Sequence, residues 1–203
     1  MPDWPAGPRG KRMIVEGLVT TLQADGQPHL APMGPEVDEQ LDQFVLKPFR
    51  TSQTYANLKR SGQGVLHVTD DVELLARAAV GRLEHFPPCI PASAVEGVIV
   101  ANACRWYAFR VVRWEESELR ARLECHVLDR GTQREFFGFN RGKHAVLEAA
   151  ILATRLHLLP ASAIQAELAH LQTLVDKTGG PAERRAFDFL VAHMHAHWQA
   201  APS

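Results

Sequence analysis

The hydrophobic pattern of this sequence changes its period once, and that change divides the chain into two parts. Up to residue 138, apolar residues gather in short β-rich runs separated by Gly, Pro and Asp. From Asn140 onward they recur every three to four residues, which is typical of amphipathic helices. We therefore predict a β-rich domain over residues 12–138 and a helical subdomain over residues 139–203. Residues 1–11 are rich in Pro and Gly and are expected to form a flexible arm.

The β-rich runs predict a mainly β, α+β fold built on an antiparallel barrel rather than a doubly wound sheet. Asp25-Gly26 is the signature of a tight hairpin turn, and the Glu-rich residues 115–118 separate two runs that resemble a second hairpin. Strands are expected over residues 14–22, 29–34, 43–47, 64–69, 97–101, 106–114 and 119–128.

Three helices are predicted to close the chain. Asn140 can cap the first, which runs to about Leu158, and Ser162 with Gln165 forms a capping box for the second. The Gly-Gly-Pro sequence at residues 179–181 ends the second helix and begins the third. Because the connections are short, we expect antiparallel neighbours in a small bundle.

Composition and charge exclude several classes of protein. The formal net charge of −1 gives no general attraction to nucleic acid or to an anionic membrane. No apolar run reaches the roughly 20 residues of a membrane span, which predicts a soluble protein. Cys89, Cys104 and Cys125 are widely separated and form no CxxC pair. A disulfide framework is therefore not expected, and a cytoplasmic location fits best.

A basic, hydroxyl-rich loop is the first candidate binding site. Lys47 and Arg50 bring positive charge to it, while Thr51, Ser52 and Thr54 add hydroxyl groups where a helix is predicted to begin. Free N–H groups at a helix N-terminus and nearby basic side chains together favour a phosphate. A capped surface helix with solvated basic residues explains the same residues, and both interpretations stay open.

The strand predicted over residues 29–34 is the second candidate site. Pro32 cannot donate a hydrogen bond to a neighbouring strand, and Gly34 has no side chain, so the strand should end or bulge there. The backbone groups exposed in this way could bind a planar polar ligand.

Two further clusters of polar residues stand out in the predicted helices. Arg141, Glu148 and Arg155 recur at a spacing that returns to one helix face, either as a structural network of ion pairs or as the wall of an anion pocket. His193 and His197 share a face but have no third ligand nearby in sequence, so no metal site is predicted.

Several segments carry a family resemblance. HLAPMG at residues 29–34, KPFRTSQTYANL at 47–58 and GVLHVTDDVELLA at 64–76 resemble the flavin-reductase-like, FMN-binding split-barrel proteins. FNRGKHAVLEAAILATRL at 139–156 and LVDKTGG at 174–180 resemble an uncharacterised subgroup, a domain of unknown function, associated with microbes that use tetrahydromethanopterin in one-carbon metabolism.

The resemblance implies a six-stranded antiparallel split barrel that forms a homodimer and binds FMN near the subunit interface. It implies that the flavin ring lies along Ala31, Pro32, Met33 and Gly34. It implies a phosphate site made by Arg50, Thr51, Ser52, Thr54 and Asn57. Lys47 brings positive charge to the same loop and is a further candidate for this site. His67 stands where related sequences often have Asn, so it either contacts the flavin or packs in the core.

The function implied is that of an FMN-dependent oxidoreductase acting on a small molecule, with no catalytic side chain predicted. A nicotinamide donor and a pterin substrate are hypotheses within it, and Arg141, Glu148 and Arg155 are candidate substrate contacts. The alternatives are a non-catalytic flavin-binding or sensing module, and an assembly protein without a cofactor.

Overall fold

The structure is a computed structural model that describes residues 13–200, so the predicted arm over residues 1–11 lies outside the described residues. Those residues form two compact units, and the segments of the two alternate along the chain. One unit comprises the residues up to 68 together with 90–99 and 106–131. The other comprises residues 69–89, 100–105 and those from 132 onward. The helical unit thus includes segments that the sequence pattern did not assign to the tail, and the predicted boundary at residue 139 stays a prediction.

The first unit is built on an antiparallel sheet that curls into a half-barrel. Its strands are β1 (Met13–Ile14), β2 (Gly17–Leu22), β3 (Pro28–Met33), β4 (Glu36–Val37), β5 (Gln43–Leu46), β6 (Gln63–Val68), β9 (Arg105–Glu115) and β10 (Arg122–Thr132). Their order in the sheet is β1-β4-β5-β10-β9-β6-β2-β3, with β3 at one edge. Two further strands, β7 (Cys89–Pro91) and β8 (Val98–Val100), pair with each other in a separate small sheet.

The predicted count of six strands in the sheet is wrong, because the sheet has eight. Six of its strands have four residues or more, and the additional β1 and β4 have two residues each. A strand of two residues is too short to produce an alternating pattern in the sequence. The predicted run over residues 97–101 forms β8, outside the main sheet.

The hairpin between β2 and β3 forms where the Asp-Gly pair predicts it. Gln23 and Gln27 close the turn with an N–H to carbonyl distance of 2.8 Å, and Gly26 adopts a φ of 83°, which favours glycine. Six residue pairs then run in register from Leu22 opposite Pro28 to Gly17 opposite Met33. This hairpin brings β3 to the edge of the sheet.

One helix, α1 (Gln53–Ser61), belongs to the sheet unit and packs against β2 and β3. Its buried Leu58 joins a core that includes Phe44 and Phe109, whose ring centroids are 5.1 Å apart in an edge-to-face arrangement. The helix α1 and the edge strand β3 are therefore neighbours within one unit.

The second unit contains the four helices α2 (Val72–Ala79), α3 (Arg141–Ala153), α4 (Ala161–Thr178) and α5 (Pro181–Ala200). The three predicted C-terminal helices are thus present, although five helices occur among residues 13–200. The apolar stripe of α4 is buried, as predicted; its members are Ile164, Leu168, Leu171 and Val175. Over residues 13–200, no helix has both the length and the apolar character needed to cross a membrane.

Two helix boundaries differ from the predicted ones. The first tail helix ends at Ala153, five residues before the predicted end, and turns follow it. The second begins at Ala161 after Pro160, with no side-chain cap, so the capping box predicted at Ser162 is wrong. A proline at that point already sets the backbone for a helix start and needs no hydroxyl.

Candidate functional site

Backbone contacts join the loop between β5 and α1 to the residues just before β10. Phe49 bridges to Arg120, and the N–H of Arg50 donates to the Leu119 carbonyl at 3.2 Å. Ser52, rather than Thr51, is the N-cap of α1, because its Oγ accepts from the Tyr55 N–H at 3.2 Å. The Ser52 hydroxyl also donates to the Phe49 carbonyl at 2.7 Å.

The first turn of α1 leaves backbone donors open. The Tyr55 N–H is capped by Ser52, but the N–H groups of Gln53 and Thr54 donate to no acceptor among residues 13–200. No acidic residue lies in this turn, so the positive end of the helix dipole is not neutralised there. These groups provide the start of an anion site.

Basic side chains belong to the loop before this helix start and to the segment that it contacts. Arg50 Nη1 lies 3.1 Å from the Glu116 carbonyl, and Lys47 forms an ion pair with Glu36. The Arg120 guanidinium lies over the Phe49 ring, 4.0 Å from its centroid. Exposed Arg50 and Arg120 therefore add positive charge to the loop without a carboxylate bound to either guanidinium among residues 13–200.

Glu116 is a member of this region that sequence reasoning missed. Its carboxylate accepts from the Tyr55 hydroxyl at 2.7 Å and from Lys59 Nζ at 2.6 Å. These two hydrogen bonds, that of Lys59 first, lower the pKa of Glu116, and the carboxylate in turn raises the pKa of Lys59. Glu116 stands in a run of acidic residues, a pattern that by itself indicates only a solvated turn.

Thr54 and Asn57 face the protein interior, where each is 2% exposed. Asn57 Nδ2 donates to Thr21 Oγ1 at 2.9 Å, and Gln53 Nε2 donates to Asn57 Oδ1 at 2.8 Å. The amide of Asn57 therefore joins α1 to β2, while Thr51 is exposed at the open end of the helix.

The outer edge of β3 carries open backbone groups. Pro32 faces Leu18 in register and has no N–H, so the bonds between the two strands fall at the alternate residues Ala31 and Met33. The N–H and carbonyl of Leu30 and the carbonyl of Pro32 therefore point away from β2. Among residues 13–200, no strand pairs with this edge. Half-buried residues line it, followed by an exposed glycine: Ala31, Pro32, Met33 and Gly34.

His67 lies in the middle of β6 and is fully buried. Its Nδ1 is 3.3 Å from the carbonyl of Leu18, which lies opposite it on β2. The neighbouring Gly17 has no room for a Cβ, which would lie 2.5 Å from the His67 carbonyl oxygen. Burial lowers the pKa of His67 to about 4, so the imidazole is neutral at neutral pH.

The candidate substrate residues lie on α3 and in the turns that follow it. Arg141, Glu148 and Arg155 are all exposed, and Arg155 lies beyond the end of the helix. Arg141 lines a groove of about 230 Å³ in the helical unit, together with Phe139, Asn140, His144 and Leu174. We call it the α3 groove.

A cluster of buried charges lies elsewhere in the helical unit. Asp70 forms an ion pair with Arg134 and accepts a hydrogen bond from the Phe137 N–H at 2.7 Å. The hydrogen bond from Arg134 is the main cause that lowers the pKa of Asp70 to about 2. Lys143 Nζ lies 2.7 Å from Glu183 Oε1 and donates to the Asp70 carbonyl at 2.9 Å. The helix α2 that follows is capped by Asp71, whose carboxylate accepts from the Leu74 N–H at 3.0 Å.

Across the described part of the chain, no three His, Cys, Asp or Glu side chains come together in a way that could hold a metal ion.

The family of the chain follows from comparison with known protein families. Residues 15–134 match the N-terminal domain of a protein of unknown function, DUF447, and residues 140–192 match the second DUF447 model. The chain therefore belongs to the DUF447 family. A comparison with curated proteins gave no match.

The fold is similar to the folds of several solved structures. An FMN-bound DUF447 protein from Methanosarcina mazei is similar with a TM-score of 0.77 and 22% identity, over 90% of this chain and 96% of that chain. The flavin reductase of styrene monooxygenase from Pseudomonas putida gives a TM-score of 0.50 and 11% identity, over 60% and 82% of the two chains. An NADH:FAD oxidoreductase from Streptomyces globisporus gives 0.50 and 10%, over 59% and 70%. The split-barrel-like fold expected from the resemblance is thus confirmed.

Proposed function

We propose that this chain is an FMN-binding flavoprotein and works as an oxidoreductase on a small molecule. The observation that carries the proposal is the start of α1, where two backbone N–H groups and the Arg50 side chain are available for a phosphate. The FMN-bound DUF447 protein of similar fold supports the choice of FMN over another anion.

The phosphate is held by the N–H groups of Gln53 and Thr54 and by the Arg50 guanidinium. Thr51 supplies a hydroxyl at the same exposed end of the helix. Ser52 contributes by shaping the helix start, because its side chain is already used as the cap. Lys47 is paired with Glu36, so it adds positive charge to the site only when the phosphate replaces Glu36 as its partner.

The flavin ring lies along the outer edge of β3. Open backbone donors and acceptors at Leu30 and Pro32 can hydrogen bond the polar edge of a planar ring, and Met33 with Gly34 forms the end of the same edge. The contact of α1 with β3 supports one ligand that spans both places.

Thr54, Asn57 and His67 act from inside the protein in this proposal. Asn57 ties α1 to Thr21, and neutral His67 packs β6 against β2, so both hold the binding edge in position. The prediction that His67 touches the flavin stays a prediction.

Bound FMN supplies hydride or electron transfer, which needs no titrating side chain from the protein. The residues of the chain bind the phosphate, orient the ring and leave one face of it accessible. We further propose a nicotinamide electron donor, a cytoplasmic homodimer and a pterin substrate in tetrahydromethanopterin-linked metabolism. The flavin-reductase neighbours support the donor, while the pterin rests on the sequence resemblance.

The proposal is tested by an absorption spectrum of the freshly purified full chain, followed by titration with FMN. We expect a flavin spectrum, and we expect Arg50→Ala to weaken FMN binding about tenfold through the loss of a charge-assisted hydrogen bond. Arg110→Ala is the matched control, because Arg110 is an exposed arginine on β9 without an ion pair among residues 13–200.

Failure of the wild type to take up FMN would overturn the proposal. Equal loss in the Arg50 and Arg110 variants would show that the phosphate lies elsewhere. Turnover of the loaded protein with NADH and a pterin then separates an oxidoreductase from a non-catalytic FMN carrier.

A further inference from the structure

Three phenylalanine rings in the loop before α3 are open to solvent. Phe136, Phe137 and Phe139 are 48%, 80% and 93% exposed. The Phe139 ring lies 6.3 Å from that of Phe136 at 71°, and 6.1 Å from the ring of His144 at 52°. Exposed apolar groups gathered in this way mark a binding surface more often than an ordinary exterior.

The loop that presents these rings is held by the buried charges beneath it. Asp70 accepts from the Phe137 N–H and pairs with Arg134, whose guanidinium also donates to the Asn102 carbonyl at 3.0 Å. Gly138 takes a φ of 118°, which lets the chain turn between the rings. The rings are therefore exposed on an ordered, hydrogen-bonded segment.

Charge in the α3 groove is distributed unevenly. Lys143 is neutralised by Glu183, and both polar ends of the Asn140 amide are used, by the Lys143 N–H and the Thr178 carbonyl. Arg141 lines the groove, is exposed, and has no ion pair among residues 13–200. The groove therefore offers one uncompensated cation beside aromatic and apolar walls.

We propose that the α3 groove binds a small planar aromatic anion. The ring of the ligand stacks on Phe139 and His144 and packs against Leu174, and its anionic group pairs with Arg141. A volume of about 230 Å³ suits one fused ring system rather than a dinucleotide, since larger ligands need cavities of roughly 300–1,000 Å³.

This site goes beyond the proposed FMN site and does not depend on it. All of its residues belong to the helical unit, whereas the phosphate loop and β3 belong to the sheet unit. The groove can thus be tested in the presence and in the absence of FMN.

The test uses 2-naphthoate, a fluorescent planar anion, with 2-naphthamide as its uncharged counterpart and cyclohexanecarboxylate as a non-aromatic anion. The full chain is titrated with each, and binding is followed by fluorescence anisotropy or calorimetry. We expect 2-naphthoate to bind about tenfold more tightly than either comparison molecule.

Variants assign the binding to the groove. Arg141→Gln should abolish the preference for 2-naphthoate over 2-naphthamide, and Phe139→Ser should weaken both. Arg82→Gln is the matched control, because it removes an exposed arginine of the same unit that does not line the groove. Circular dichroism checks that each variant is folded.

Four results would overturn the inference. The first two are no binding of 2-naphthoate at millimolar concentration, and equal binding of the acid and the amide. The other two are an equal loss of binding in the Arg82 variant, and dissociation of an oligomer by Phe139→Ser without any ligand binding. The inference of a separate site would also be overturned if FMN and 2-naphthoate competed for binding and Arg141→Gln weakened FMN binding. Together these two results would make the groove part of the flavin site. If FMN fails to bind the wild type, the proposed function falls while the naphthoate result still decides the groove.

Discussion

The loop before α1 and the cluster around Asp70 both contain several charged groups, but the loop leaves polar groups open to solvent, whereas the cluster pairs its charges within the protein. At the loop, Arg50 is exposed and two helix N–H groups have no acceptor among residues 13–200. Around Asp70, the carboxylate is 6% exposed and is bound by a guanidinium and a backbone N–H. The first arrangement leaves room for an anion from solution, whereas the second is complete without one.

The difference separates ligand-binding charge from structural charge. A buried charge that lost its partner would be strongly destabilised, so its contacts are satisfied within the protein. Exposed charges cost the protein little stability when they have no partner, so they remain available to bind a ligand. Substitutions should therefore affect stability around Asp70 and ligand affinity around Arg50.

The largest effect on stability is expected for Asp70→Ala. It leaves Arg134 and the Phe137 N–H without their acceptor, and we expect a loss of about 3 kcal/mol in the free energy of unfolding. Urea denaturation followed by circular dichroism measures it. Asp188→Ala, at an exposed position of α5, is the control and should change little. Similar losses of unfolding free energy in both variants would show that the contacts of Asp70 stabilise the protein no more than those of an exposed aspartate.

Acid should weaken the same cluster. Because the pKa of Asp70 is lowered in the folded protein to about 2 from an ordinary value of 3.8, its contribution to stability is complete above pH 4 and is lost as the pH falls toward 2. The effect should be smaller than that of Asp70→Ala, since a protonated carboxyl keeps its shape and part of its hydrogen bonding. Denaturation at several pH values should show a shallower decline for Asp70→Asn than for the wild type. Identical slopes would remove Asp70 as a cause.

Ser52 and Thr51 provide a sharper comparison inside the loop itself. Ser52→Ala removes the cap of α1 and should cost about 1 kcal/mol of unfolding free energy. Thr51→Ala removes an exposed hydroxyl that makes no hydrogen bond among residues 13–200, so stability should hold while FMN affinity falls. Thermal denaturation and FMN titration of the two variants measure both properties. The reverse pattern would exchange the roles assigned to them.

A small effect on stability is expected for Lys47→Gln. Its ion pair with Glu36 is solvent-exposed and should contribute less than about 0.5 kcal/mol to stability. FMN affinity should fall a few-fold, and the difference from the wild type should shrink at high salt, because salt screens exposed charges. A loss of FMN affinity that does not depend on salt would argue for a direct structural role of Lys47. Urea denaturation and FMN titration at two salt concentrations provide the measurements.

Much of the fold could be predicted because its signals are local. The Asp-Gly turn, the alternation in the longer strands and the Gly-Gly-Pro break at residues 179–181 each act over a few neighbouring residues. The two-residue strands β1 and β4 could not be found, because they exist only through pairing with each other and with β5. The end of α3 at Ala153 was missed for a related reason, since the helical spacing of residues continues beyond the helix itself.

Prediction of the candidate sites was limited in another way. The loop of residues 47–54 was recognised by its residue types, but spacing could not show that Ser52 is the cap or that Thr54 and Asn57 face inward. The stripe through Glu148 and Arg155 has helical spacing, yet Arg155 lies outside the helix. The exposed rings at residues 136–139 resemble an ordinary core segment in the sequence, where burial cannot be read.

The sequence by itself determined the order of the longer strands and of the C-terminal helices, the main hairpin and the place of the basic loop, because each depends on residues that are close together in the chain. Only the tertiary structure decided which charges are satisfied and which remain open. Asp70 meets Arg134 across 64 positions, Lys143 meets Glu183 across 40, and Tyr55 meets Glu116 across 61. Such pairs depend on the path of the whole chain, and burial then fixes whether a charge serves the fold or remains available to a ligand.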